Sequence, residues 1–461
     1  MKLYQILLII TTAIASLLSL FGIFYFPDLT LFLAFLTSFS TLSYFRPKWG
    51  LAFILFLPVF GEYSRFLLFG KSLVASDILI PIFTIFWLIK KPSLSLLKLA
   101  STLLKIIILF LSIAFLSLLI SLTALPLNDV ISGSLYFIRL LSYIALFPIT
   151  TTLFHSLPSQ SKLLKYLLIV SLLIALGGYI QLYFMPNLEE LAKTQGYDPH
   201  LNRLVGSWLD PNFIGGFFAF IISIYISITL YSKSTKHRIL LITAITILGT
   251  ALFLTYSRSA YLAIAASILT IGLLKSRKLV IAILIIGTIG VSVSDRAQQR
   301  LSELSTSITS VLFNNSENPD PTARLRIQNW EQTFQLISQK PLFGHGYNNL
   351  SSVKLQEGFV ENEGVHSASG SDSSLLTITA TTGFLGLISF LLIITLMAIK
   401  SAQKWFQSKH PLSKGLGLGF FSGLIGLLVH SLFVNSLLFP QIMIFFWPML
   451  GLIYSNHQSK N

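Results

Sequence analysis

The chain has 461 residues, of which 54% are hydrophobic and only 11% charged; it contains no cysteine and carries a formal net charge of +15. Soluble domains carry about 25% charged residues, so the composition excludes a water-exposed globular protein and indicates a protein embedded in a lipid bilayer. The lack of cysteine excludes disulfides, thiolate metal sites and a cysteine nucleophile from this chain.

Apolar runs long enough for a membrane helix, about 20 residues, recur along the whole sequence. The candidate segments are 3–26, 29–45, 49–69, 77–89, 99–125, 134–154, 163–184, 211–231, 239–255, 257–274, 279–293, 373–399, 415–434 and 437–454. The segment 49–69 is interrupted by Pro58 and Glu62, and 77–89 is short. We therefore predict an all-α, polytopic integral membrane protein with about 12 to 14 transmembrane helices.

The distribution of charge predicts the orientation of these helices. Most Lys and Arg residues fall in loops on one side of the predicted bundle, whereas the acids fall in the opposite loops or at the adjoining helix ends. By the positive-inside rule, both termini are expected in the cytoplasm, with segment 3–26 as an uncleaved signal anchor of a cytoplasmic (inner) membrane protein. The excess of basic residues is therefore explained by the orientation of the helices in the membrane. It does not indicate a nucleic-acid binding surface.

Three regions follow from this topology. Residues 1–293 are predicted to form a membrane domain with an external loop at 185–210, and residues 294–372 an extracytoplasmic loop domain. Residues 373–461 supply the C-terminal transmembrane helices.

The loop domain is predicted to contain helices at 295–313 and 321–340, the second of them ended by Pro341 and Gly344. In the second helix, one side collects Arg324, Gln328, Glu331 and Gln335. The other side collects Ile327, Trp330, Phe334 and Ile337, together with Arg326, and is expected to rest on the membrane domain.

Arginines at the external end of the bundle are the first candidates for functional residues. Burying an ionisable group near the membrane costs free energy, so such a group usually has a function. They are Arg139, Arg203, Arg258 and Arg326. Guanidinium groups bind phosphates bidentately, so converging arginines suit a diphosphate. A snorkelling side chain or a buried ion pair is the alternative for each, and Glu62 with Arg65 is interpreted as a structural pair.

Other ligands are disfavoured. The external acids are scattered and the histidines lack metal-ligand spacing, so we predict no metal and no other cofactor. No phosphate-binding loop for ATP is present. Glycines between 415 and 426 are expected to allow close helix packing.

A base for activating a hydroxyl group has two candidates, His366 and Asp372, in the segment 365–374 that precedes a predicted span. A solvated loop histidine is the alternative for His366, and a helix N-cap is the alternative for Asp372.

Four motifs resemble those of the O-antigen ligase and polymerase family of bacterial membrane glycosyltransferases. Residues 203–212 match R-x-x-G-x-x-x-x-P-N, and residues 257–259 match S-R-[SG]. Arg326 with Trp330, followed by residues 341–346, matches R-x-x-x-W and then P-L-x-G-x-G. Residues 372–386 lie where the family has H-N-S-Y-L through T-G-x-x-G.

The resemblance implies a GT-C-like fold and metal-independent, inverting transfer of a polyprenyl-diphosphate-linked glycan, such as one on undecaprenyl diphosphate, to a glycan, lipid or protein acceptor. It implies that Arg258 and Arg326 hold the diphosphate, with Arg203 at the same cleft. The sequence departs from the family at the base, because Asp372 occupies the histidine position and His366 lies six residues earlier. Asp372 is slightly favoured, and both remain candidates.

Membrane lipids and the lipid-linked donor are thus the expected partners, with no nucleic acid. The alternative functions are a transporter or flippase for lipid-linked saccharides and a non-catalytic scaffold. The sequence leaves ligase and polymerase activities open.

Overall fold

The computed structural model describes residues 27–68, 71–90, 92, 100–189, 200–296, 298–299, 302, 321–361 and 370–455. Its helices are α1 (Pro27–Phe45), α2 (Pro47–Phe56), α3 (Ala75–Ile89), α4 (Ser101–Ser121), α5 (Leu127–Leu153), α6 (Leu157–Phe184), α7 (Pro211–Tyr231), α8 (Thr235–Leu254), α9 (Arg258–Leu274), α10 (Arg277–Val293), α11 (Pro321–Gln339), α12 (Leu350–Gln356), α13 (Ser374–Gln407), α14 (Pro411–Ser431) and α15 (Pro440–Tyr454). A short antiparallel hairpin of β1 (Arg65–Leu68) and β2 (Lys71–Val74) pairs Arg65 with Val74 and Leu68 with Lys71.

The prediction of an all-α polytopic membrane protein is confirmed. Seven helices in the described ranges are long and apolar enough to cross a membrane: α4, α5, α6, α7, α8, α13 and α14. Five shorter apolar segments accompany them, so the total of about 12 to 14 spans stays a prediction. The predicted segment 3–26 lies outside the described residues.

The predicted segment 49–69 is not one helix. Helix α2 ends at Phe56, and the chain continues through two 3-10 turns, Leu57–Val59 and Gly61–Ser64, into β1. Pro58 cannot donate a helical hydrogen bond, and Gly61 adopts φ +50°, a left-handed conformation that glycine tolerates. Glu62 and Arg65 do pair, with Arg65 Nε 2.7 Å from Glu62 Oε2, but from a 3-10 turn and the start of a strand.

Helix α7 forms the centre of the bundle, because nearly all of its residues are buried. Helix α14 packs closely against it because α14 presents glycines. A Cβ atom added at Gly415 would lie 2.7 Å from the Cα of Ile228, and one at Gly419 would lie 2.6 Å from the Cα of Ile224. The predicted packing role of these glycines is confirmed.

Residues 321–361, here called the cap, are anchored at a kink in α13. Gly383 adopts φ +70° and interrupts the helical geometry of α13. The carbonyl groups before the kink accept hydrogen bonds from the cap: His345 N donates to Ala380 O at 2.9 Å and Gly346 N to Thr381 O at 3.1 Å. The P-L-F-G-H-G segment therefore fixes the cap to one end of the bundle, here called the cap end.

Helix α11 confirms the predicted helix at 321–340 and most of its predicted sides. Arg324, Gln328, Glu331 and Gln335 are exposed, and Ile337 is buried. The prediction for Phe334 is wrong, because this side chain is 56% exposed. The buried side of α11 instead includes Asn329 and Thr333. Asn329 can be buried because its side-chain amide donates a hydrogen bond to the Asp372 carboxylate. The predicted helix at 295–313 falls largely outside the described residues.

Candidate functional site

Arg203 fastens the turn that carries Arg258. Its Nε donates to Thr255 O at 2.8 Å, and its Nη2 lies 3.4 Å from Tyr256 O. These carbonyls follow the C-terminal end of α8, where a positive charge is stabilised by the helix dipole. The structure therefore places Arg203 against the backbone just before Arg258.

Arg258 is the first residue of α9 and is positioned by α7. Ser257 caps α9 and donates its hydroxyl hydrogen to Asn212 Oδ1 at 2.8 Å. Asp210 caps α7 and accepts from the backbone N–H groups of Asn212 and Phe213 at 2.6 and 3.1 Å. The P-N and S-R motifs thus join the first turns of α7 and α9 at the cap end.

Arg326 approaches the C-terminal end of α14 from the cap. One turn after it on α11, the ring of Trp330 lies 6.3 Å from that of Phe433, measured between centroids, beyond the end of α14. His430, near the end of α14, is fully buried. Its ring packs directly on Gly216 of α7, so closely that a Cβ atom added at Gly216 would lie 2.6 Å from His430 Cε1. Arg326 is close enough to His430 to interact with it electrostatically.

Asp372 lies just outside α13 and is not the cap of that helix. Ser373 is the N-cap, and Asp372 adopts φ +54°, a left-handed conformation that is uncommon outside glycine. The Asp372 carboxylate accepts from Asn329 Nδ2 at 2.9 Å. Asn329 follows Arg326 by three residues on α11, so Asp372 and Arg326 lie near one helix face.

A buried lysine completes this arrangement. Lys354 of α12 is wholly inaccessible to solvent, and its Nζ donates to Asn329 Oδ1 and, at 2.7 Å, to Gly370 O. Burial lowers the pKa of Lys354 to about 8, while the nearby Asp372 carboxylate raises it. Because the ammonium occupies the Asn329 oxygen, the amide NH₂ points to Asp372.

The sequence reasoning missed Asn329, Lys354 and His430. Asn329 could have been found from its position one helical turn after Arg326. The sequences around Lys354 and His430 carry no signal, since their neighbours come from distant parts of the chain.

The remaining predicted site residues lie elsewhere. Arg139 of α5 forms a bidentate ion pair with Asp77, in which Arg139 Nε lies 2.7 Å from Asp77 Oδ1. Its guanidinium also stacks over the Tyr136 ring at 4.5 Å. Arg139 therefore forms the buried ion pair that the sequence left open as the alternative to phosphate binding. His366 lies outside the described residues.

A cavity of about 390 Å³ opens at the cap end beside Arg139, and its lining does not include Arg258, Arg326 or Asp372. Its lining includes Arg139, Asp210, Asn348, Thr377 and Gln441. Thr377 Oγ1 accepts from Ser371 N at 3.1 Å, so the cavity wall is joined to the segment that holds Asp372. In the described ranges, no three His, Asp or Glu side chains cluster in a way that could hold a metal ion.

Comparison with known proteins agrees with the motifs. Residues 243–391, about a third of the chain, match the family described as O-antigen ligase. This region contains Arg258, Arg326 and Asp372, together with the whole cap, while Arg139 and Arg203 precede it. A comparison with curated proteins finds no match. The motifs and the apolar helices agree with this match, and residues 243–391 are similar to the O-antigen ligase family.

Proposed function

We propose that the chain transfers a glycan from a polyprenyl-diphosphate donor to an acceptor hydroxyl at the outer face of the cytoplasmic membrane, with both termini in the cytoplasm. The observation that carries this proposal is the hydrogen bond between Asn329 and Asp372. It sets a carboxylate beside the helix face that bears Arg326, at the end of the bundle where α9 begins with Arg258.

The proposed reaction is a single inverting displacement. Arg258 and Arg326 neutralise the diphosphate, and Asp372 accepts the proton of the acceptor hydroxyl. The acceptor oxygen then forms a bond to the anomeric carbon, while the bond from that carbon to the phosphate oxygen breaks. Polyprenyl diphosphate leaves with the electron pair, and preorganised arginines stabilise the negative charge that develops on it.

The other predicted residues take secondary roles. Arg203 positions the turn before Arg258 through its two backbone contacts. His366 remains the second candidate base. No metal or cofactor takes part in the proposed step, since guanidinium groups supply the positive charge.

Deletion of the gene tests the proposed function. We expect one surface glycan polymer or conjugate to disappear and its lipid-linked precursor to accumulate on the outer leaflet. Purified full-length protein added to membranes of the deletion strain is expected to form the missing product. Accumulation on the inner leaflet would instead show a flippase and contradict the proposal.

Lys354→Met is expected to slow transfer by about 10- to 100-fold, because charge-assisted hydrogen bonds contribute about 1.5–3 kcal/mol. Lys354 acts as a positioning residue through Asn329. Since its pKa is about 8, the wild-type rate should fall as the pH rises through this value and the ammonium loses its proton. The methionine variant should lack this alkaline decline.

The matched measurement is the pH dependence of the transfer rate in membranes of the deletion strain. Lys354→Arg keeps the charge and is expected to move the alkaline decline to higher pH. Equal pH profiles for the wild type and Lys354→Met would show that Lys354 is only a structural residue.

A further inference from the structure

The turn before Arg258 has an unfavourable backbone conformation. Tyr256 adopts φ +48°, in the left-handed region that bulky side chains rarely occupy. Such a residue costs free energy and persists only where the surrounding structure holds it in place. The next residue, Ser257, caps α9, whose first residue is Arg258. The conformation of the turn 255–257 therefore determines how the chain enters α9, and with it the position of Arg258.

The segment beside this turn contains a second left-handed residue. Asn202 also adopts φ +48°. Two residues later, the backbone N–H of Leu204 donates to Leu254 O, at the end of α8, at 2.9 Å. The segment 201–204 thus lies along the end of α8, directly beside the turn 255–257.

Arg296 contacts both segments. It lies just after α10, 94 positions from Asn202. Its Nη1 donates to Asn202 O at 3.0 Å, and its Nη2 donates to Leu201 O. In addition, its guanidinium lies over the Tyr256 ring, 4.9 Å from the ring centroid. One side chain therefore binds the carbonyl of one left-handed residue and the ring of the other.

Arg203 and Arg296 act on different parts of the turn. Arg203 binds its backbone, at the carbonyls of Thr255 and Tyr256. The Tyr256 side chain is contacted by Arg296 and by the Phe253 ring, whose centroid lies 5.8 Å away. The side chain of the left-handed residue is thus fixed from α10, a part of the chain that Arg203 does not contribute.

The arrangement requires an arginine. A planar guanidinium can donate to two carbonyls in its plane while its face stacks on an aromatic ring. A lysine ammonium is a compact charge that lacks this fork, so it cannot make all of these contacts at once. Arg296→Lys is therefore expected to preserve only part of the effect of Arg296.

We infer that Arg296 is a positioning residue for the lipid diphosphate: it holds the turn 255–257 in the conformation that places Arg258 for binding. The role of Arg258 at the diphosphate rests on the proposed function, whereas the fixing of the turn rests on the contacts of Arg296 alone. Arg296 then acts through Arg258 and does not itself touch the diphosphate.

Hydrogen exchange of the full-length protein in lipid nanodiscs tests the effect on the turn. Arg296→Leu removes the guanidinium and is expected to speed amide exchange in residues 253–258 at least about tenfold, since a cation–π contact and charge-assisted hydrogen bonds are lost. Tyr256→Phe keeps the ring and should exchange like the wild type, whereas Tyr256→Leu should resemble Arg296→Leu. Unchanged exchange in Arg296→Leu would overturn the inference.

Arg277→Leu is the matched control. It makes the same chemical change at an exposed position at the other end of α10. It should leave the exchange of residues 253–258 unchanged. Equal acceleration in Arg277→Leu and Arg296→Leu would show a general loosening of α10 and would also overturn the inference.

Binding of undecaprenyl diphosphate to the same nanodisc preparations tests the consequence for Arg258. Arg296→Leu is expected to weaken binding about tenfold, and Arg277→Leu should bind like the wild type. In protein that already carries Arg258→Ala, Arg296→Leu should have no further effect, because residues that act through one another are not additive. Additive losses would show an effect independent of Arg258 and contradict the positioning role.

Failure of the proposed function gives a different pattern. If the deletion strain loses no surface glycan, the proposed function is wrong, while faster exchange in Arg296→Leu would still support the fixing of the turn. If Arg296→Leu exchanges faster but binds undecaprenyl diphosphate as tightly as the wild type, the positioning role is overturned and the proposed function stands.

Discussion

Asp372→Asn is expected to lower the rate of glycan transfer by about 100- to 10,000-fold, the usual contribution of a positioned general base. Asparagine has nearly the same shape but cannot accept the proton of the acceptor hydroxyl. Its side-chain oxygen can still accept the hydrogen bond from Asn329, so the cap should remain in place. The rate is measured with purified protein in membranes of the deletion strain.

Asp295→Asn provides the matched control, since Asp295 is exposed and lies outside the cap. It should transfer glycan at the wild-type rate. The comparison with His366→Ala separates the two candidate bases. Wild-type activity of Asp372→Asn together with loss of activity in His366→Ala would reject Asp372 as the base and assign that role to His366.

Arg258→Ala and Arg326→Ala are each expected to slow transfer by about 100- to 1,000-fold, the effect of removing one preorganised group that stabilises transition-state charge. The lysine variants should retain part of the activity, because lysine keeps the charge but lacks the planar fork that binds a phosphate bidentately. For the alanine and the lysine variants, two quantities are measured: the amount of surface glycan restored to the deletion strain and the rate of transfer in membranes.

Arg324→Ala is the control for the cap arginine. Arg324 lies two residues before Arg326 on the exposed side of α11, so its loss should leave transfer unchanged. Arg203→Ala tests a different effect: loss of its contacts to Thr255 and Tyr256 should reduce the amount of folded protein as well as the rate. If the alanine variants of both Arg258 and Arg326 reach the membrane and restore the glycan fully, the proposed diphosphate site is wrong.

The sequence predicted the membrane helices well because hydropathy is local. A run of about 20 apolar residues has few alternatives to a buried or lipid-facing helix, whatever the rest of the chain does. The helix at 321–340 was predicted from equally local signals, a proline at its start and a proline and glycine after its end. Segment 49–69 failed because average hydropathy hides the helix-breaking effect of Pro58 and Gly61.

The candidate site was predicted only in part. Motif order indicated Arg258, Arg326 and Asp372, and their region matches the O-antigen ligase family. The sequence could not show that Asp77 takes the guanidinium of Arg139, because the two residues are separated by 62 positions. Nor could it reveal that Lys354 is buried beneath Asn329 and Gly370, which lie 25 and 16 positions away.

The sequence by itself therefore determined the membrane environment, the helices and the set of candidate arginines. The tertiary structure alone decided which charges are paired, which residues contact Asp372 and where a cavity opens. The physical reason is that apolar burial accumulates along a single helix, whereas the partner of a charged or polar side chain is set by packing between segments that are distant in the chain.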